Sequence, residues 1–148
     1  MLLRSRQGTG MTDSFPEIRD AVLAQLPADT GLDGELVVWE SDRLAFERLQ
    51  QRLALRGAAA AEAARRWPGH YVAFDPVHVG LDLTGWPYER RRAALEALFA
   101  DHSLKAPLTL CPSTTAPEQA EQWLGCSAAG LEGLCFKRLD EPYRPVRS

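Results

Sequence analysis

Leu32-Asp33-Gly34-Glu35-Leu36-Val37-Val38-Trp39 is the stretch on which the reading of this chain turns. It is a short apolar run broken near its start by two carboxylates, and it reads as a mostly buried strand with charge at one end. A second run, Leu131-Glu132-Gly133-Leu134-Cys135-Phe136-Lys137, has the same character and ends in a lysine. A carboxylate at the edge of an apolar strand is costly if it is desolvated and unpaired, so it wants a lysine, an arginine or a metal ion. Two such groups brought together can hold a divalent metal over a polyphosphate. Taken singly, Glu35 and Glu132 each fit a plainer description, a strand-end residue in water, and spacing alone does not decide between the two.

Outward from these runs, helical and strand patterns alternate, which makes the class mixed α and β. Residues 2–6 alternate weakly and read as a strand before a glycine-containing turn; with no partner ahead of them, they suggest a truncated start. Ser14 is placed as the N-cap of a helix with Pro16 and Glu17 in its first turn, a stripe of Ile18, Val22 and Leu26, and a stop at Pro27. Phe46, Leu49 and Leu53 form the next stripe, and the alanines of residues 58–64 a further short helix after a break at Gly57. Residues 70–79 are rich in β-formers, but Asp75 interrupts them and Pro76 argues for an edge or a strand end. A helix is expected from Tyr88 to about His102, with Leu95, Leu98 and Phe99 on one face, then a short strand at residues 108–111. Thr115 and Glu118 stand three apart, as in a capping box, ahead of a helix carrying Ala120, Trp123 and Leu124 inward. Residues 131–136 read as a last strand.

The 148 residues suit one domain, and 45% hydrophobic with 25% charged residues is ordinary for a globular protein. No apolar run is long enough to span a bilayer, and the first residues do not resemble a signal peptide, so a cytoplasmic protein is expected. Cys111, Cys126 and Cys135 are widely spaced and do not pair with His70, His78 or His102 at zinc spacing, so neither a structural metal nor a disulfide is expected. The formal net charge of −3 gives no global reason to bind nucleic acid, although a local basic surface suffices to meet phosphates. Residues 90–92, three consecutive arginines, are the densest basic cluster; they read as a solvated helix face, with a DNA-facing patch as the alternative.

Several stretches together resemble the covalent nucleotidyltransferases. Asp33-Gly34-Glu35-Leu36-Val37 is similar to their motif III, Tyr71-Val72-Ala73-Phe74-Asp75 to motif IIIa, and Glu132-Gly133-Leu134-Cys135-Phe136-Lys137 to motif IV, in the family's order. Leu3-Arg4-Ser5-Arg6 with Phe15-Pro16-Glu17 resembles the stretch that follows motif I in ligases. The connecting segments, including Gly85-Trp86-Pro87-Tyr88 and Leu110-Cys111-Pro112-Ser113, resemble small actinobacterial ATP-dependent DNA ligases. The resemblance covers nearly the whole chain; each motif is weak alone and the ordered set is strong. It implies an α+β, ATP-grasp-like nucleotidyltransferase (adenylation) domain with antiparallel sheets flanked by helices. It further implies that Glu35 contacts the nucleotide ribose or a metal, that Phe74 stacks on adenine, that Glu132 supports metal binding and that Arg6 contacts a DNA phosphate near the nick. Lys137 is a candidate phosphate contact, with a solvated strand-end lysine as an equal alternative, and a core residue is a serious alternative for Phe74.

The resemblance implies ATP and Mg2+ as cofactors and nicked double-stranded DNA as the partner, with no membrane and a monomeric state. The family's nucleophile is a lysine in Lys-x-Asp-Gly-x-Arg. The two lysines here, Lys105 and Lys137, lack that context, so residues 1–148 are expected to be a partial adenylation domain without motif I, motif V or the oligonucleotide-binding-fold domain. A chain without its nucleophile is expected to seal no nick by itself. Two other readings stay open: an RNA ligase or capping-type nucleotidyltransferase, and a non-catalytic nucleotide- or DNA-binding remnant.

Overall fold

The computed structural model describes residues 3–5, 7–41, 43–124 and 137–144. A short 3-10 turn, Thr12–Ser14, leads into α1 (Pro16–Gln25). Then come β1 (Thr30–Glu40), β2 (Arg43–Leu44), α2 (Phe46–Leu53), α3 (Gly57–Arg66) and β3 (Gly69–Val79). α4 (Tyr88–Asp101), β4 (Leu108–Leu110) and α5 (Pro117–Leu124) complete the described elements. The strands form one sheet in the order β2-β1-β3-β4.

The sheet is mixed, which corrects the expectation of antiparallel sheets. β1 pairs antiparallel with β2 and β3, while β3 and β4 run parallel, Tyr71 opposite Leu108 and Ala73 opposite Leu110. Parallel neighbours need a crossover, and α4 lies in the connection that supplies it. Alternation along β1 buries Leu36 and Val38 and exposes Glu35. Those two residues form the core with Leu3, Phe15 and Ile18, and Met11, Val22, Leu49, Leu53, Trp67 and Tyr71 pack against it.

A buried arginine ties this core to the sheet. Arg52, fully buried, donates to both oxygens of Glu17 at 2.5 and 2.8 Å and to the carbonyls of Ser14 and Trp67. Its guanidinium lies 4.4 Å from the Phe15 ring centroid, and Glu17 also accepts the Gly69 N–H at 3.2 Å. Glu17 therefore does more than complement the helix N-terminus: it joins α1, α2 and the start of β3. Ser14 is not the N-cap of α1. That position is Phe15, and Ser14 is buried, with its hydroxyl donating to the Leu53 carbonyl.

Four other expectations change. The segment at residues 3–5 finds its partner in the returning chain: Arg4 bridges Gly10, and Met11 N–H donates to the Leu3 carbonyl at 2.7 Å. Phe46 is 65% exposed, so only Leu49 and Leu53 of its stripe reach the core. β3 continues through Pro76 to Val79; a proline is accommodated there because the ladder with β4 ends at Ala73 and a bulge adjoins it. α5 starts at Pro117, which leaves Thr115 outside the N-cap, and it is the Thr114 hydroxyl that accepts the Ala116 N–H, at 3.0 Å. Cys126, Cys135 and the expected strand at residues 131–136 lie outside the described residues.

Residues 137–144 lie against the start of α4 and the sheet. Glu89 N–H donates to the Leu139 carbonyl and Tyr143 N–H to the Thr84 carbonyl, each at 2.9 Å. The Tyr143 hydroxyl donates to Asp33 at 3.1 Å. Burial, the Asp33 charge and that hydrogen bond push the Tyr143 hydroxyl up to about 12. Burial likewise raises Tyr71, whose hydroxyl donates to the Leu32 carbonyl.

Two outcomes follow from this geometry. A Cβ at Gly34 would stand 2.3 Å from the Val72 carbonyl oxygen and 2.7 Å from Tyr71 Cζ. Gly34→Ala should therefore force β1 from β3 and cost about 1–3 kcal/mol; an unchanged urea midpoint would contradict this. Second, the folded-state pKa of Tyr143 lies above the ordinary tyrosine value of about 10. The stability from its contact is then fully present below that value and lost as pH rises through about 12. The phenolate absorbance difference between wild type and Tyr143→Phe should titrate near pH 12; a difference centred on the ordinary tyrosine value would refute the contact.

Candidate functional site

Three segments far apart in sequence meet where β1 and β3 lose regular register. Glu35 stands opposite Val72, Gly34 opposite Ala73, and Asp33 opposite Asp75, so Phe74 is the extra residue of a β-bulge. A second shift, between Gly31–His78 and Leu32–Pro76, makes Val77 extra in the same way. Bulges bend a strand and re-aim its side chains, and they recur beside active sites. The pair of them brackets Asp75-Pro76.

Asp75 is fully buried, which an unpaired carboxylate could not sustain. Arg91, near the start of α4, grips it with two bonds, Nε to Oδ1 at 2.7 Å and Nη2 to Oδ2 at 3.1 Å. The fork is bidentate, the geometry that suits arginine and a carboxylate best. The remaining Arg91 nitrogen, Nη1, donates to the carbonyls of Trp86 at 2.6 Å and Glu141 at 2.8 Å. Lys137 adds a third arm, Nζ to Asp75 Oδ2 at 3.0 Å, with its ammonium 4.9 Å from the Tyr88 ring centroid. One carboxylate thus faces two cations, with Asp33 opposite it on β1.

The residues singled out from sequence fall unevenly on this frame. Glu35 is exposed on β1 and Phe74 is half-buried in the bulge. Lys137 is held by Asp75 rather than standing solvated at a strand end, and its side chain keeps 33% exposure. Arg6 and Glu132 lie outside the described residues. The arginine cluster is only partly a solvated face: Arg90 is exposed, 4.2 Å from the Trp86 centroid, and Arg92 pairs with Glu96 at 2.9 Å, but Arg91 is buried. Among the described residues no group of three or more His, Cys, Asp or Glu side chains is placed to hold a metal; on β1, Asp33 and Glu35 are the exposed carboxylates of the motif III stretch. No helix of the described residues is long and apolar enough to cross a membrane.

Sequence reasoning missed Asp75, Arg91 and Tyr143. Asp75 had a usable signal, because an acid inside a β-rich run has to be neutralised by something. Arg91 had one too. It shares the i, i+4, i+7 face of Leu95 and Leu98, both buried, and an arginine on that face is a buried partner in waiting. Tyr143 gave none, since its contact with Asp33 spans 110 positions.

With this geometry in hand, comparison with known proteins is specific. The family described as "ATP dependent DNA ligase domain" matches residues 1–148. DNA ligase C2 of Mycolicibacterium smegmatis is 40% identical over 145 residues, covering 97% of this chain and 40% of the relative. DNA ligase C of Mycobacterium tuberculosis is 35% identical over 147 residues, covering 97% and 41%. The multifunctional non-homologous end joining protein LigD of Pseudomonas aeruginosa is 35% identical over 148 residues, covering 99% and 16%. The chain spans about two fifths of the length of the first two of these relatives. A match over the full 148 residues, on a fold that brings the resembling stretches together, shows that the chain belongs to the ATP-dependent DNA ligase domain family.

Proposed function

We propose that these residues form part of the ATP-grasp-like adenylation module of a ligase that seals nicked double-stranded DNA through enzyme-AMP and DNA-AMP intermediates. The observation that carries this is convergence: the stretches resembling motifs III and IIIa pair directly, and Lys137, the end of the stretch resembling motif IV, reaches Asp75, the last residue of the motif IIIa stretch. A solvated helix, an isolated edge or a scattered set of motif residues would not support the same reading.

Within it, Phe74 stacks on the adenine and Glu35 meets the ribose or a metal. Glu35 is exposed and supplies hard oxygen ligands, which suits Mg2+, an ion usually held by one or two carboxylates together with substrate phosphates. Bound Mg2+ would neutralise polyphosphate charge. Glu132 is assigned as a second supporting carboxylate and Arg6 as a contact to DNA phosphate. The protein acts as a cytoplasmic monomer.

Nucleotidyl transfer also needs a nucleophile. Lys105 and Lys137 are the two lysines of the 148 residues. Neither stands in the Lys-x-Asp-Gly-x-Arg context of the family's nucleophile, so neither is assigned as the attacking group. The 148-residue chain by itself therefore binds Mg·ATP without forming a lysyl-AMP adduct. Positioning a nucleotide is not catalysis unless an interaction strengthens in the transition state.

Incubation with ATP labelled at its α-phosphate should leave no covalent band on a denaturing gel. In parallel, calorimetric titration should detect Mg·ATP binding. Phe74→Ala should weaken it by about tenfold, since stacking on a base is worth about 1–3 kcal/mol, and Glu35→Ala should weaken it only when Mg2+ is present. A covalent band would overturn the inactivity of the chain. Binding indifferent to both substitutions would overturn the site.

A further inference from the structure

The two cations on Asp75 are held very differently. Arg91 alone neutralises Asp75, and four of its five N–H donors are committed, two to the carboxylate and two to backbone carbonyls, at 2% side-chain exposure. Among the described residues Lys137 makes one hydrogen bond, shares Oδ2 with Arg91 and stays one-third exposed. Removing Arg91 would strand a buried carboxylate with a single, partly solvated partner. Removing Lys137 would leave a neutral, bidentate pair. The two cations are therefore not equivalent. One belongs to the frame, and the other is available.

We propose that Lys137 is the exchangeable partner of Asp75: it leaves the carboxylate for a polyphosphate anion at the site, while Arg91 keeps Asp75 neutralised. This rests on the nucleotide-binding reading above and adds how the site passes from its empty to its filled state. Lys137 rests 4.9 Å from the Tyr88 ring centroid, and an aromatic face accepts an ammonium without a fixed hydrogen bond. Its carboxylate partner, Asp75, directly follows Phe74 in β3. Emptying the site returns Lys137 to Asp75.

The test uses the whole 148-residue chain with its lysines isotopically dimethylated, which keeps their charge and gives one methyl resonance each for Lys105 and Lys137, assigned with Lys105→Arg. Mg·ATP is the probe. In the free chain, Asp75→Asn should move the Lys137 resonance and leave Lys105 unmoved. With saturating Mg·ATP, wild type and Asp75→Asn should give nearly the same Lys137 resonance, because the lysine no longer rests on residue 75. A structural role for Lys137 would keep the difference in both states. Lys137→Met provides a check that does not depend on Asp75. It should melt close to wild type and bind Mg·ATP about tenfold more weakly, the loss expected for one charged hydrogen bond. The proposal is overturned if Mg·ATP binds and leaves the Lys137 resonance unmoved. It is equally overturned if Lys137→Met melts far below wild type. If wild-type chain shows no binding of Mg·ATP at all, the nucleotide reading itself fails and takes the exchange with it.

Discussion

The carboxylate of Asp75 has no access to water, and the site depends on how its charge is met. Arg91 meets it with a bidentate fork and spends its other nitrogen on the carbonyls of Trp86 and Glu141. That single guanidinium joins the irregular middle of β3, the turn before α4 and the segment at residues 137–144. A buried pair of this kind is weak evidence for net stability, because desolvation offsets much of its attraction. Its contribution is to placement. With Asp75 fixed, the bulge at Phe74 has a defined geometry, and residues 137–144 have a defined place to lie.

A second buried arginine does the same for the other half of the domain. Arg52 binds Glu17, Ser14 and Trp67 and stacks on Phe15, so α1, α2 and the start of β3 share one polar hub inside an apolar core. Its Nε is the one buried side-chain polar atom among the described residues with no hydrogen-bond partner, a cost set against four contacts from the rest of the group. The two hubs hold β3 at its start and its middle: Gly69 next to Glu17, and Asp75 next to Arg91. β1 lies antiparallel along that length, and so its exposed Glu35 is carried by a strand paired to a braced neighbour.

Much of this was legible in the sequence, and the exceptions share a cause. Long periodic segments announced themselves: the stripes through Ile18, Leu49 and Leu95 lie on helices, and the runs around Leu36 and Tyr71 are paired strands. The ordered motif resemblance identified the family correctly, because it depends on local spacing. What escaped was non-local pairing of charge. Asp75 read as an interruption and residues 90–92 as a solvated face, when Asp75 and Arg91 are one interaction 16 positions apart. Ser14 read as a cap because its local context fits one, whereas a buried role beside Arg52 depends on a residue 38 positions away. The parallel pairing of β4 was hidden for the same reason. A three-residue strand has too little pattern to state its direction.

The central claim is that Arg91, through Asp75, holds residues 137–144 against the sheet. Hydrogen exchange on wild type and Arg91→Met measures it most directly. The account predicts that the amides of Glu89 and Tyr143, which donate to Leu139 and Thr84, are protected in wild type and lose protection in the variant. Amides of β1 and α1 around the Arg52 hub should keep theirs. Unchanged protection at Glu89 and Tyr143, or an equal loss across the whole chain, would contradict it.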